Sequence, residues 1–138
     1  MTSPNHIYSR AFTVPVDAID ENGHVNNVAY VRWMQDIAVE HYASIGGIEA
    51  QGTEATWVVR EHKIEYLLPA FSGEEIEIKT WVENIRRVRS LRKYEFMRRS
   101  DGKVLVKGET DWVFVDVGTG RPLPIPRKVS GVFDLPEE

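Results

Sequence analysis

Asn26-Asn27-Val28-Ala29-Tyr30-Val31-Arg32-Trp33-Met34-Gln35-Asp36-Ile37-Ala38-Val39-Glu40-His41-Tyr42-Ala43-Ser44-Ile45 is the one long helical pattern in this 138-residue chain, and it decides the fold. Asn26 and Asn27 can cap a helix start, and Gly46-Gly47 is a natural stop. Arg32, Gln35, Asp36 and Glu40 gather into one polar stripe, and nearly every other position is apolar or aromatic. A surface helix carries an apolar stripe roughly 100° wide. The wider apolar surface here predicts a helix over residues 28–45 that is buried on several sides.

The flanking sequence supplies a sheet to bury it. Upstream, residues 6–16 alternate weakly (Ile7, Ala11, Thr13) and read as a strand. Downstream, residues 53–68 are rich in β formers and break at Pro69. Ile76, Ile78, Thr80 and Val82 then alternate with charged residues and Trp81, and residues 91–99 continue the alternation. Asp101-Gly102 is a hairpin turn signal. Residues 104–117 form another strand, ended by Gly118-Thr119-Gly120. Residues 121–138 hold four of the seven prolines and are expected to be a strand-edge extension with a short helix. Short turns favour antiparallel pairing. The expected fold class is α+β, an antiparallel sheet curling around one central helix, with residues 1–138 as a single domain.

Composition narrows the function classes. Apolar residues make up 42% and charged residues 28%, ordinary values for a globular protein. No apolar run approaches the roughly 20 residues that span a bilayer, so no membrane partner is expected. The first six residues lack a basic-then-apolar order, so no signal peptide is expected. The absence of cysteine excludes disulfides, thiolate catalysis and Cys-ligated zinc, and suits a cytoplasmic location. A net charge of −4 argues against a nucleic-acid partner. No G-x-S-x-G or H-E-x-x-H motif occurs, and Gly118-Thr119-Gly120 lacks the rest of a phosphate loop. Neither a metal nor a cofactor is expected.

Chemistry concentrates just before the helix, in Asp20-Glu21-Asn22-Gly23-His24-Val25-Asn26-Asn27. A helix start leaves its first N–H groups unpaired and carries a partial positive charge. Such an end can polarise a carbonyl and stabilise the oxyanion that develops on it. Asp20 lies close enough to fold back, and a carboxylate there can attack the carbonyl or activate a water. A thioester suits this apparatus because its thiolate leaving group is weakly basic. The same residue types also form ordinary turns and caps. The residues alone leave both readings open.

Asp20-x-Asn22-x-His24-Val25-Asn26-Asn27-x-x-Tyr30 resembles the signature of the 4-hydroxybenzoyl-CoA thioesterase-like and acyl-ACP thioesterase-like members of the hotdog superfamily. Ile64-Glu65-Tyr66-Leu67-Leu68-Pro69-Ala70 with Gly73-Glu74, and Asp116-Val117-Gly118-Thr119-Gly120-Arg121-Pro122, resemble that family's next strand and last hairpin. The resemblance implies a hotdog fold and hydrolysis of acyl-CoA or acyl-ACP. It also implies a homodimer, or a tetramer of two dimers, with active sites at the subunit interface. It gives Asp20 the role of nucleophile or general base, places Asn22 and His24 with it in a catalytic network, and assigns carbonyl polarisation to the backbone at Asn27 and Val28. A hotdog enoyl-thioester hydratase or dehydratase is an alternative, although its motif spaces the asparagine and histidine more widely. A non-catalytic module that binds acyl carriers is another.

Further candidates rest on position. Tyr30, Trp33 and Met34 can line an acyl pocket or simply belong to the core, and Trp57 and Trp112 share that ambiguity. Arg86, Arg87, Arg89 and Arg92, with Ser90, form a basic cluster that can grip CoA phosphates through bidentate guanidinium geometry; a solvated hairpin rim is the simpler reading. Arg127 and Lys128 are a second basic candidate. His62 is expected to be partly buried and His41 structural, and His6 carries no assignment.

Overall fold

A computed structural model describes residues 7–133 and Leu135. His6 and the end of the C-terminal extension lie outside the described residues. The chain runs β1 (Ile7–Thr13), a 3-10 turn (Val16–Ala18), α1 (Asn27–Ser44), α2 (Gly47–Gln51), β2 (Ala55–Tyr66), β3 (Glu75–Arg86), β4 (Arg89–Arg98), β5 (Val104–Asp116), α3 (Arg127–Ser130) and a last 3-10 turn (Gly131–Phe133). The helix, the β strands and the short C-terminal helix fall where periodicity placed them, within a few residues.

The five strands form one antiparallel sheet in the order β1-β3-β4-β5-β2. The order departs from the order along the chain. β3, β4 and β5 are joined by tight hairpins, but β2 does not pair with β3. Residues 67–74 instead cross the end of the sheet. They leave β2 with the Leu67 and Leu68 N–H groups donating to the Leu105 carbonyl (2.8 and 3.0 Å), and arrive with the Gly73 N–H donating to the Val14 carbonyl (3.0 Å). β2 is therefore an edge strand, 12 residues long, with no partner on its outer side among the described residues.

α1 lies across the inner sheet face. Tyr30, Met34, Ile37, Ala38 and His41 are buried beneath it, against Ile76, Ile78, Tyr94, Phe96 and Val106. Gly108 permits the close approach, since a Cβ there would stand 2.9 Å from Met34 Sδ. Burial is one-sided, contrary to the expectation of several buried sides: Val28 and Val39 stay 66% and 59% exposed. One sheet can cover only one face of a helix.

β4 shows which residues of a strand point inward. Ser90, Arg92, Tyr94 and Phe96 are all buried, alternating with less buried Leu91, Lys93, Glu95 and Met97. Ser90 and Arg92 thus do not join an exposed basic cluster, because the two-residue period that buries Tyr94 and Phe96 carries them inward too.

Candidate active site

Residues 18–26 fold into a small antiparallel ribbon. The Asp20 N–H donates to the His24 carbonyl (3.0 Å), the Asn26 N–H donates to the Ala18 carbonyl (2.8 Å), and Ile19 bridges to Val25. Gly23, at φ +83°, closes the turn and donates its N–H to the Asp20 carbonyl (3.0 Å). Side chains alternate across such a ribbon. Asp20, His24 and Asn26 therefore share the face opposite Ile19 and the buried Val25. Directly opposed residues have Cβ atoms about 5 Å apart, so Asp20 stands beside His24. The Val25 N–H donates to the Ala70 carbonyl (2.9 Å) and ties the ribbon to the crossing loop.

The Asp20 carboxylate is held in place. Its Oδ1 accepts the Asn22 N–H (2.9 Å), an Asx turn, and its second oxygen has no partner among the described residues. The Asn22 side chain is exposed, and His24 Nδ1 makes one long contact, to the Val25 carbonyl (3.4 Å). Asp20, Asn22 and His24 are brought together by this five-residue turn without a side-chain hydrogen bond among them.

At the tip of α1, Asn26 Oδ1 accepts the Val28 N–H (2.8 Å), and the Asn26 carbonyl accepts the Ala29 N–H (3.0 Å). The cap therefore occupies the Val28 N–H, one of the two groups expected to polarise a carbonyl. The Asn27 N–H has no acceptor among the described residues. It stands at a cavity of about 270 Å³ lined by His24, Asn27, Tyr30, Tyr66, Leu68 and Pro69. Asp20 does not line this cavity directly; it adjoins it through His24. Burial, with help from Tyr66 and Glu74, pushes the Tyr30 hydroxyl up to about 12, so it remains a neutral phenol.

The other expected residues scatter. Tyr30 lines the cavity, but Met34 is fully buried against Gly108, and Trp33 packs on Phe12 (4.7 Å between ring centroids) and Tyr30 (5.5 Å). Arg86 and Arg87 are exposed at the β3–β4 turn. Arg89 is engaged by Asp111, through Nε (3.1 Å) and Nη2. Ser90 is 4% exposed. His62 Nδ1 contacts Thr110 Oγ1 (2.8 Å), and burial pushes its pKa down. His41 is buried, stacked on Tyr8 and next to Arg92. Sequence reasoning passed over Tyr66, Leu68 and Pro69 as site residues; the motif over residues 64–70, followed by a break at proline, was their signal. Among the described residues no three His, Asp or Glu side chains converge as a metal site, and no helix is long and apolar enough to cross a membrane.

One spatial relation matters most. The Asp20 ribbon and its cavity sit by the Tyr66 end of β2. Arg86 pairs with Arg89, Arg89 with Val113, and Val113 with Val58, so the basic turn sits by the start of β2. Eight residues of the strand, roughly 26 Å at about 3.3 Å per residue, separate the two groups within one chain.

A family model described as the thioesterase-like superfamily matches residues 14–133. No curated protein matches in sequence. The fold is similar to that of the PA5185 protein from Pseudomonas aeruginosa (21% identity, covering 94% of this chain and 91% of that one, TM-score 0.83). It is also similar to a DHNA-CoA thioesterase from Staphylococcus aureus (22% identity, 93% and 87% covered, TM-score 0.79). A third neighbour is the 12:0-ACP thioesterase from Umbellularia californica (19% identity, 93% and 49% covered, TM-score 0.83), of which this chain spans about half. The helix-in-sheet arrangement expected from the sequence is the one these structures share.

Proposed function

This chain belongs to the thioesterase-like superfamily, and from that premise we propose that it hydrolyses acyl thioesters, acyl-CoA foremost, with Asp20 as the catalytic carboxylate. The observation that carries the proposal is the pairing of Asp20 and His24 on one face of a rigid turn, next to a helix start whose Asn27 N–H is unpaired beside a cavity. In the proposed reaction the thioester oxygen accepts the Asn27 N–H, where the helix dipole stabilises developing negative charge. The free Asp20 oxygen then attacks the carbonyl carbon, or takes a proton from a water that does. The C–S bond breaks and the thiolate leaves; where water attacks, the free acid forms directly, and where Asp20 attacks, a water then hydrolyses the acyl–Asp20 anhydride, releasing the acid and restoring the carboxylate. His24 holds the approaching group or water against Asp20.

The site is proposed to be completed by a second copy. β2 presents an unpaired 12-residue edge, which natural proteins rarely leave open. Pairing two β2 edges antiparallel places the Tyr66 end of one chain by the Ala55 end of the other. Arg86 and Arg87 of one protomer then approach the Asp20 ribbon of its partner, where they can meet the CoA phosphates. Arg89 is already committed to Asp111.

Release of free thiol from acyl-CoA esters of short, long and aromatic acyl groups tests the proposal. Asp20→Asn is expected to lower turnover by roughly 10²–10⁴-fold, the usual range for an acid–base group, with melting temperature nearly unchanged. Full activity in that variant would remove Asp20 from the reaction. Acyl-CoA binding with no thiol release would point to a non-catalytic carrier module.

A further inference from the structure

A second cavity, about 220 Å³, lies by the C-terminal half of α1. Its distance from the first is set by the helix: from Asn27 to Val39 is 12 residues, about 18 Å at 1.5 Å per residue. Val39, Tyr42, Trp57, Trp112 and Phe133 are among the residues that line it. Val39 and Ile48, 59% and 52% exposed, stand at its mouth. Among the described residues one charged side chain lines it, Arg92, and no acidic one does.

Arg92 is in an unusual position for a cation. It is 3% exposed. Its Nη1 bonds to Thr80 Oγ1 (3.1 Å) and approaches His41 Nδ1 (2.9 Å), and its guanidinium carbon lies 5.8 Å from the centre of the Phe133 ring. Among the described residues no carboxylate forms an ion pair with it, and its Nε and Nη2 make no hydrogen bond. A buried charge without a counter-ion is costly. Burial pushes the guanidinium down to about 10, which still leaves it protonated at neutral pH. The fork of donors on Nε and Nη2 matches a carboxylate in bidentate geometry, and the surrounding rings suit an apolar body.

We propose that this cavity binds a small apolar carboxylate, an aromatic or short-chain acid whose carboxylate pairs with Arg92 while its body packs on Trp57, Trp112 and Tyr42. Two sources share this chemistry: a free acid, and the far end of an acyl group that carries a second carboxylate. The second source rests on the thioesterase reading, since the paired β2 edges would bring this cavity next to the partner's Asp20 ribbon.

Calorimetric titration with benzoate and with the uncharged benzyl alcohol tests the site. Benzoate is expected to bind at least about tenfold more tightly, as a charge-assisted bidentate contact requires. Arg92→Met is expected to abolish that preference. Should it fail to fold, Val39→Trp, at an exposed helix position on the mouth, is expected to block binding of both compounds. Equal affinity for the two compounds, or an undiminished benzoate preference in a folded Arg92→Met, would overturn the proposal. Thiol release from a carboxyl-terminated acyl-CoA and from a methyl-terminated one of equal length then separates the sources. Faster turnover of the former, lost in Arg92→Met, assigns the site to the substrate; benzoate binding without that preference assigns it to a free acid. Thiol release absent from both, with benzoate still bound, breaks the thioesterase reading and leaves the site standing.

Discussion

Asn26 is the residue at which stability and the proposed chemistry can be driven in opposite directions. Its Oδ1 accepts the Val28 N–H (2.8 Å), and so it caps α1. Asn26→Ala removes that bond, and loss of such a cap typically costs about 1 kcal/mol. With an unfolding entropy of about 2.1 cal/mol/K per residue over 138 residues, this lowers Tm by about 3 °C. Asn26→Asp keeps an acceptor at the same place and adds a charge that the helix dipole favours, so Tm is held or raised slightly. The same charge sits next to the Asn27 N–H where the oxyanion is proposed to form. Two negative charges about 6 Å apart repel by about 3 kcal/mol at an effective dielectric constant near 20, on the order of a hundredfold in rate. Differential scanning calorimetry and steady-state thiol release on the three proteins read both effects. Asn26→Asp should therefore be as stable as the parent and much slower. Parental turnover in a correctly folded Asn26→Asp would place the oxyanion elsewhere than at the helix tip.

Gly23 sits at φ +83° with open space around it. Gly23→Ala therefore pays only backbone strain, about 1–2 kcal/mol, and is expected to lower Tm and turnover together, measured on the same samples. Gly108→Ala pushes a Cβ to within 2.9 Å of Met34 Sδ; chemical denaturation should show a loss of about 1–3 kcal/mol, and the same substitution should cost less in a Met34→Ala background, where the clash is gone. Asp111 feels burial, which raises its pKa, but the hydrogen bonds from Arg89 and Arg60 outweigh it and hold the carboxyl below its ordinary range. A depressed folded-state pKa contributes stability above the unfolded pKa, about 3.9, and that contribution disappears as pH falls through the folded value. Denaturation from about pH 6 to about pH 3 should thus show a smaller acid loss in Asp111→Asn than in the parent, and equal slopes would exclude the ion pair as the cause. Sedimentation equilibrium at micromolar concentration is expected to give twice the chain mass of 15.8 kDa; a monomer would refute β2 edge pairing.

Local signals were the legible ones. The α1 boundaries followed from an asparagine cap and a diglycine stop, the β4–β5 hairpin from Asp101-Gly102, and the Asp20–Asn27 cluster from its position ahead of a helix. Pairing between distant strands was not legible. Nothing in residues 67–74 announces that they cross the sheet end, because the carbonyls that anchor them belong to Leu105 and Val14, far away in sequence. Arg92 is a different case. Its neighbours in charge, Arg86, Arg87 and Arg89, drew it into an exposed cluster, although Tyr94 and Phe96 two and four positions on fix its phase as inward.

The excess apolar surface of α1 joins these observations. Val28 and Val39 lie at the two ends of the helix, one beside the Asp20 ribbon and one at the mouth of the Arg92 cavity, and the chain's own sheet covers neither. The sequence pattern demanded cover on several sides, and the single chain provides one. Both uncovered ends adjoin candidate binding chemistry, and the β2 edge runs between them. A second copy paired along that edge would meet the demand and bring the carboxylate of one chain to the cations of the other. A charged substitution at Val39 therefore serves as a joint probe. Val39→Glu should weaken the dimer and thiol release in parallel, because the proposed site needs both chains. A stable dimer with unchanged turnover would show that this helix end faces solvent in the working protein.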